Sequence, residues 1–473
     1  MSDLNETDIC EIDQPNPEGQ GVSPEIISVR ISPQSYLTAV VLASFASAFL
    51  LYLEMDIAGL ITLAAAWILI PSFGLNDRIQ FDGKRLARTG IVPRGWAWIT
   101  ASRHRLRIVD IEGVETHAVR AVKRGGNVYY RYRVLIRGKG LSVAIASGGD
   151  DFRLIVKSIL QNLDEDVLDT RSIELRDHLA DPKDTLMRAE SVRIPSAEAL
   201  ENSIRTVSKR VRMLPTVAAS DETVDGKAED LRSLANELRV SGHFLQALEA
   251  FRRALVLRPK DGRLLFEFAR CLHSFADVRR DAKLERRALA LLRLSERRAD
   301  GDADLLVRLG EWYFQIGEWR RAGNVFQAAL DRAGESFRTA RGLAEIALRE
   351  GKIAHVIHQF ATATRVAGTP SLRRWSKAEA AYFSNLNSNE EYMELEISRV
   401  NMLDTVENSK KTALRITFVA LPAILFGVLF EDYLIANIGW AVASVALLMW
   451  IVLIFSARTL SRRIPYELVD IDD

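Results

Sequence analysis

Four long segments without a charged residue limit the folds open to this chain more than any other feature. They are Leu37–Leu53, Ile57–Leu75, Ile416–Phe430 and Tyr433–Phe455. A helix rises about 1.5 Å per residue, so a bilayer core of about 30 Å needs around 20 residues. The third segment reaches that length if Arg415 extends its charged group to the interface. Because no helical face carries a charge, we expect membrane spans in two hairpins rather than buried core helices.

The distribution of Lys and Arg around these segments predicts their orientation. The two hairpin tips, Glu54–Asp56 and Glu431–Asp432, contain neither residue. The other flanks carry Arg30, Arg78, Lys84, Arg85, Lys410, Lys411, Arg415, Arg458, Arg462 and Arg463. Lys and Arg concentrate on the cytoplasmic side of membrane proteins. We therefore expect an integral membrane protein with four spans, and with both termini and the long middle region in the cytoplasm.

The net charge of the chain, +1, hides regional differences that cancel. Residues 1–35 contain one basic and seven acidic residues, which predicts a disordered acidic tail. Residues 76–163 contain 17 basic and seven acidic residues. Nucleic-acid binding is not expected there, because the neighbouring spans would hold this region at a membrane. Residues 164–226 are again acidic and predict a linker with one amphipathic helix over Ser196–Met213.

The basic region has the pattern of a small β-rich domain. Short β-type runs occur at Ile79–Phe81, Arg105–Val109 and Tyr130–Arg137, and Asp150 can cap a closing helix. The residues that carry a family resemblance are Phe81–Arg85, Ile108–Glu115, Tyr130–Ile136 and the closing helix. This arrangement resembles the bacterial pleckstrin-homology-like domain, over residues 77–163. The resemblance implies a β-barrel or β-sandwich closed by one C-terminal helix.

Four arginines of this region are candidates for contact with lipid headgroups, because each Lys or Arg near an anionic leaflet contributes about 1 kcal/mol. They are Arg94, Arg103, Arg105 and Arg107, and Trp96 and Trp98 lie close to the first of them. The alternative is that this positive charge only reflects the general excess of Lys and Arg at a cytoplasmic membrane face. The sequence leaves both interpretations open.

The second half of the middle region is built from repeats. Gly317 precedes Phe326 by nine residues, and Gly351 precedes Phe360 by nine residues, 34 positions further on. This period and register resemble the tetratricopeptide repeat family, over residues 228–403. The resemblance implies an α-solenoid of helix pairs, in which stacking of the repeats buries apolar surface that one repeat cannot bury alone. A degenerate second repeat and a poorer fifth repeat complete the expected array.

The same resemblance implies a groove for a protein or peptide partner, lined by the first helix of each repeat. The groove positions in this sequence are Arg232, Asn236, Arg239, Glu311, Phe314, Arg338, Arg341 and Glu345. The arginines favour an acidic partner or a C-terminal carboxylate, because a guanidinium group binds a carboxylate through two hydrogen bonds. The alternative is that these residues are ordinary solvated surface.

The sequence contains no pattern of an enzyme, a cofactor site or a metal site. Phosphate-binding glycine loops, nucleophile elbows, zinc-protease helices and kinase motifs are all missing. His355 and His358 share a helical face without a third ligand, and Cys10 and Cys271 lie far apart. We therefore expect neither catalysis nor a bound cofactor or metal.

Together these patterns predict a multi-domain α+β membrane protein. The expected parts are a tail (1–35), a transmembrane hairpin (36–75), the β domain (76–163), a linker (164–226), the solenoid (227–403), a second transmembrane hairpin (404–456) and a tail (457–473). The expected function is a membrane-anchored adaptor or scaffold, in a bacterial inner membrane, with its groove toward cytoplasmic proteins and its basic domain toward lipid. The alternative is a subunit of a transport or envelope-biogenesis complex, in which the spans take part. The sequence does not indicate the oligomeric state.

Overall fold

The computed structural model describes residues 26–31, 34–99, 105–122, 128–139, 141–147, 150–201, 222–299 and 301–466. Residues 1–25 of the acidic tail and Arg103 lie outside these ranges, as does most of the amphipathic helix predicted over Ser196–Met213. The beginning of that helix is confirmed, because residues 197–201 are helical.

The strands form two antiparallel sheets. The first has the order β1 (Ile27–Arg30), β2 (Arg78–Phe81), β3 (Arg85–Thr89) and β4 (Arg105–Arg107). The second has the order β5 (Gly113–Val122), β6 (Val128–Gly138) and β7 (Leu141–Ala146). Among the described residues no strand pairing joins the two sheets, so one continuous barrel is not formed.

The first strand lies before the first apolar helix, which places that helical hairpin inside the β domain. β1 pairs with β2, and their register brings Arg30 opposite Arg78. The chain between these two strands is the hairpin of α1 (Gln34–Tyr52) and α2 (Asp56–Asn76). The prediction of one continuous disordered tail is therefore wrong for residues 27–30. A strand of four residues carries too little periodicity to be recognised, and both helices separate it from its partner in sequence.

The remaining helices fill the middle and the end of the chain. In chain order they are α3 (Ile91–Ile99), α4 (Asp150–Gln161), α5 (Thr170–His178), α6 (Pro182–Ser191), α7 (Glu222–Val240), α8 (Phe244–Leu257), α9 (Gly262–Arg279), α10 (Ala282–Arg298), α11 (Ala303–Gln315), α12 (Trp319–Ala333), α13 (Phe337–Arg349), α14 (Ile353–Val366), α15 (Pro370–Ser388), α16 (Glu390–Leu429) and α17 (Tyr433–Leu460).

The closing helix of the β domain is confirmed. One face of α4, which includes Phe152, Ile155 and Ile159, is buried. These residues share one hydrophobic core with inward-facing strand residues such as Val134 and Ile136, which alternate along β6 as a half-buried strand requires. The β domain is therefore held together by the packing of α4 against its strands.

The helices from α7 to α14 form successive pairs, and the turns confirm the expected repeat. Gly242, Gly317 and Gly351 lie between the two helices of a pair, with φ angles of 90°, 86° and 72°. These positive angles favour glycine, because a side chain would meet the following carbonyl group. The degenerate second repeat also forms a pair, α9 with α10.

Small residues let neighbouring pairs approach closely. The buried ring of Phe326, on α12, lies against Gly310 of α11 and Gly342 of α13. A Cβ atom added to either glycine would stand 2.8 or 2.5 Å from that ring. The glycines therefore make room for the large residue that joins the third pair to the fourth.

The last helix of the array continues into the third apolar segment without a break. α16 runs over Glu390–Leu429, 40 residues, so the predicted boundary at 403/404 falls inside one helix. After α17 the chain returns to the array, where Arg463 pairs with Glu379 at 2.9 Å and the Ile464 amide donates to Glu396 at 2.8 Å. The array and the second hairpin are therefore one continuous structure.

Three helices among the described residues are long and apolar enough to cross a membrane, namely α2, α16 and α17, and a shorter apolar helix covers Tyr36–Tyr52. Both hairpin tips lie where the sequence predicts them. Glu54 and Glu431 adopt left-handed turn conformations, and Asp432 caps α17 by accepting from the amides of Leu434 and Ile435.

The two helical hairpins pack against each other. The ring of Trp440, on α17, lies 5.1 Å from the ring of Phe45, 5.8 Å from that of Phe49 and 5.7 Å from that of Tyr52, all on α1. The Tyr52 hydroxyl also donates to Asn437. Segments from opposite ends of the chain therefore form one apolar helical unit.

Candidate interaction site on the inner face of the helical array

The helix α5, in the segment predicted to be a linker, lies between the β domain and the array. Asp169 caps it by accepting from the Ser172 amide at 2.8 Å, and it also accepts from the Thr116 amide of β5 at 3.3 Å. The hydroxyl groups of Thr116 and Ser172 lie 2.8 Å apart in a buried position. Because α6 also packs on α7, through an ion pair of Arg188 with Glu237, the interpretation of 164–226 as a free linker is wrong.

The array and the β domain share a hydrophobic core. Val240 of α7 and Phe337 of α13 belong to the same buried cluster as the strand residues. The Tyr132 hydroxyl of β6 donates to the Val240 carbonyl at 2.7 Å, and Arg374 of α15 lies 3.4 Å from Asp110. We call the side of α7, α9, α11 and α13 that faces α5 and β5 the inner face. The β domain covers part of this face, so the two predicted domains form one body.

Glu174 of α5 binds two arginines of the inner face. Its carboxylate pairs with Arg239 of α7 at 2.8 Å and with Arg270 of α9. All three side chains are largely buried. Arg239, which the sequence analysis assigned to a partner groove, therefore binds a carboxylate of its own chain.

The predicted groove residues Arg232 and Asn236 bind a second buried carboxylate. Arg232 donates from two nitrogens to Glu267 of α9 at 2.8 and 2.9 Å, and the Asn236 amide donates to the same carboxylate at 2.8 Å. Burial alone would raise the pKa of Glu267, but its interactions with Arg232 and Asn236 hold that pKa below the usual range. These residues join the first helix pair to the second.

Glu311 and Arg338 mark the border of the covered part. Arg338 donates to Glu311 at 2.8 and 2.6 Å, and the Thr170 hydroxyl at the start of α5 donates to the same carboxylate. Attraction to Glu311 outweighs burial and keeps the pKa of Arg338 above its ordinary value. The first turn of α5 therefore contacts the third pair as well.

Phe314, Arg341 and Glu345 lie on the accessible part of the inner face. They line a cavity of about 350 Å³ between β5 and the helices α11 and α13, together with His117 and Arg171. Arg341 donates to Glu345 at 3.0 Å, and the two side chains are 35% and 36% exposed. This cavity is therefore accessible space beside three of the predicted groove residues.

A second cavity of about 320 Å³ is also lined by α5, through Arg171, Glu174 and Leu175. Its wall includes Arg270, whose guanidinium lies over the rings of Trp312 at 4.5 Å and Phe266 at 5.1 Å. Burial lowers the pKa of Arg270 to about 9, and the nearby charge of Arg171 adds to that effect. Within the described part of the chain, Arg270 Nε and Trp312 Nε1 have no hydrogen-bond partner.

The structure brings all eight predicted groove residues to the inner face, on the first helices of their pairs. Two residues of this face, Glu174 and Arg270, are not among the predicted groove residues. Arg270 lies 34 residues after Asn236, so carrying the repeat register into the degenerate second repeat would have found it. Glu174 had no such signal, because its role depends on contacts across long sequence distances.

The other predicted site lies at the first sheet. Arg94 lies on α3, and Arg105 and Arg107 lie on β4; all three are exposed. Among the described residues, no group of three or more His, Cys, Asp or Glu residues is arranged to hold a metal ion. Burial raises the pKa of the Cys271 thiol to about 12, which disfavours the reactive thiolate.

No protein-family model matches the chain, and no curated protein matches it. Among solved structures, the chain is similar to the one titled "Crystal structure of APC/C hetero-tetramer Cut9-Hcn1", with 15% identity and a TM-score of 0.28. That match covers 67% of this chain and 52% of the other, so the chain spans about half the length of the structure that it matches. At this TM-score the similarity does not establish a shared fold, and the helical repeat rests on the helix pairs described above.

Proposed function

We propose that this protein is a membrane-anchored scaffold whose helical array binds protein partners on the cytoplasmic side. The apolar helices support the anchor, because they form two joined hairpins whose tips carry acids and no Lys or Arg. Both hairpins connect directly to the folded body, one through β1 and β2 and the other through α16. Such connections would hold the array at the bilayer and raise its effective concentration for membrane-associated partners.

The observation that carries this proposal is that the inner face already binds a helix, α5. Arg239 and Arg270 bind the carboxylate of Glu174, and Glu311 accepts from Thr170. A surface with this chemistry can also bind an acidic segment of another protein. The accessible part, lined by Phe314, Arg341 and Glu345, is where we propose that a partner makes contact.

We further propose that the two sheets and α4 form a pleckstrin-homology-like module that faces the cytoplasmic lipid surface of a bacterial inner membrane. Support comes from the exposed Arg94, Arg105 and Arg107, and from the insertion of the first hairpin between β1 and β2. A basic surface fixed so close to an anionic leaflet would be attracted to it. No catalytic role is proposed for either part.

Crosslinking in native membranes tests the partner site. The variant Arg341→Glu reverses a charge on the accessible part of the inner face, whereas Arg287→Glu reverses the charge of an exposed arginine on α10, the second helix of its pair. We expect Arg341→Glu to lose crosslinked partners that the unchanged chain and Arg287→Glu retain. Mass spectrometry of the crosslinked products identifies these partners.

Two results would contradict this assignment. If all three chains capture the same partners in the same amounts, the accessible part of the inner face is not the contact. If Arg287→Glu alone loses them, the contact lies on the second helices. Hydrogen exchange of α13 in each variant shows whether the array has kept its fold.

A further inference from the structure

The connection between β3 and β4 is much longer than the sheet requires. Two neighbouring antiparallel strands can be joined by about two to five residues. Here 15 residues separate Thr89 from Arg105, and the first part of them forms the helix α3, Ile91–Ile99. A long insertion with a helix of its own, at the edge of a small sheet, indicates a role beyond connecting the strands.

α3 lies at the end of the first helical hairpin. It contacts α2 as well as β3. Gly90, which precedes α3 directly, packs on Asp77, which follows α2 directly, so that a Cβ atom on Gly90 would stand 3.2 Å from the Asp77 Cα atom. The start of α3 is therefore fixed where a span, as proposed above, would leave the bilayer.

A cluster of polar side chains around the buried carboxylate of Asp77 joins the elements at this junction. The carboxylate of Asp77 is fully buried, accepts from the Tyr36 hydroxyl at 2.6 Å and accepts from Arg88 Nη2 at 2.5 Å. The Asp77 carboxylate therefore links the first turn of α1, the end of α2 and strand β3. Separating these elements would leave the buried carboxylate of Asp77 without its partners, so α2 and β3 are held together at the point where α3 begins.

The composition of α3 differs from that of a solvated surface helix. Its nine residues read IVPRGWAWI, and Arg94 is the one charged residue among them. Ile91 is 61% exposed and Val92 is 45% exposed. The helix sequence also contains Trp96 and Trp98, and tryptophan is enriched where proteins meet the headgroup region.

We propose that α3 is an interfacial membrane helix, whose apolar residues enter the headgroup–acyl boundary beside the first hairpin. This proposal rests on the membrane anchoring proposed above and names the lipid contact of the β domain. A helix that lies in the interface buries its apolar side in the boundary and keeps its charges among the headgroups. Ile91 and Val92 supply apolar contact, and Arg94 reaches lipid phosphate. The β domain is then held at the bilayer mainly by apolar insertion, with the arginines in an auxiliary role.

Site-directed labelling of the full-length chain in lipid nanodiscs tests this proposal. The background variant is Cys10→Ser, and the remaining native cysteine, Cys271, is buried and unreactive. In this background a single cysteine replaces Ile91, Val109 or Ile68. Each new cysteine carries an environment-sensitive fluorophore. Val109 is the matched control, because it is a 65% exposed residue of the same β domain, next to α15. Ile68 reports on the span itself and is 64% exposed on α2.

We expect the label at Ile91 to emit at shorter wavelength than the label at Val109. We also expect a nitroxide on the lipid acyl chain to quench the label at Ile91 about as strongly as it quenches the label at Ile68. The signal should persist when the anionic phosphatidylglycerol is replaced by phosphatidylcholine, because apolar insertion does not need lipid charge.

Every other result overturns the proposal. If Ile91 behaves like Val109 while Ile68 is quenched, α3 is in water and only this inference fails. If Ile68 is also unquenched, the anchoring itself fails. A blue-shifted label that lipid nitroxide does not quench means that protein covers α3. Loss of the signal without phosphatidylglycerol means that charge, not apolar insertion, holds the helix.

Discussion

Over α7 and α9 the inner face binds the carboxylate of Glu174, on a helix of the same chain, whereas over α11 and α13 the pair of Arg341 with Glu345 lines a cavity of about 350 Å³. Both halves use arginine and glutamate. In the covered half, Glu174, Arg239 and Arg270 are largely buried, and in the accessible half the pair of Arg341 with Glu345 is about one-third exposed. Residue type alone therefore does not distinguish a structural ion pair from a binding surface. Burial does.

The largest effect is expected from Glu174→Gln. The substitution leaves Arg239 and Arg270 buried without their carboxylate, and removing one partner of a buried ion pair costs about 3–5 kcal/mol. We expect this cost to appear as a loss of protection for α5, measured by hydrogen exchange of residues 170–178.

The matched control is Glu345→Gln in the accessible half, which removes the same charge from a partly solvated pair. It should leave the exchange of α5 unchanged. If both variants show equal exchange, the covered half is not held by its ion pairs, and the comparison of the two halves does not hold.

A smaller effect is expected from Gly342→Ala, which tests the packing beneath the accessible half. The new methyl group would stand 2.5 Å from the ring of Phe326, and overpacking of this kind costs about 1–3 kcal/mol. Gly323→Ala is the control, because its Cβ atom would meet no atom closer than 3.8 Å. Thermal unfolding of the purified chain should show a lower midpoint for the first variant only. A fall in both would mean that the loss does not come from the contact with Phe326, because helix propensity favours alanine and would raise the midpoint.

Acid should weaken the covered half through Glu267. Its pKa is lower in the folded chain than the unfolded value of about 4.3, so its stabilising effect is complete above that value and is lost as the pH falls through the folded pKa. The midpoint of thermal unfolding should therefore decrease below about pH 4.3. Glu267→Gln should start from a lower midpoint at neutral pH and decrease less steeply in acid. If the midpoint falls equally with pH in both chains, other carboxylates cause the loss of stability in acid.

What could be predicted from the sequence is what depends on local periodicity. Spacing along the chain predicts the apolar segments, their acidic tips, the glycine turns at Gly317 and Gly351, and the first helices that carry the groove residues. What could not be predicted depends on contacts between distant segments. β1 pairs across an entire helical hairpin, and Glu174 meets Arg239 and Arg270 only because the β domain docks on the array. Neither contact leaves a pattern in one sequence.

The smallest effect on stability is expected from Arg341→Ala. A pair that is about one-third exposed contributes roughly 0–1 kcal/mol, because solvent screens it and two long side chains must be ordered. Arg341 also lies over the ring of Trp375, 5.6 Å from its centroid, and part of that contact is lost. The midpoint of thermal unfolding should change little, and the double variant Arg341→Ala/Glu345→Ala should show a small coupling energy. A decrease as large as that of Glu174→Gln would mean that the accessible half is also a structural contact. A small decrease leaves Arg341 available for a partner, as the crosslinking comparison with Arg287→Glu requires.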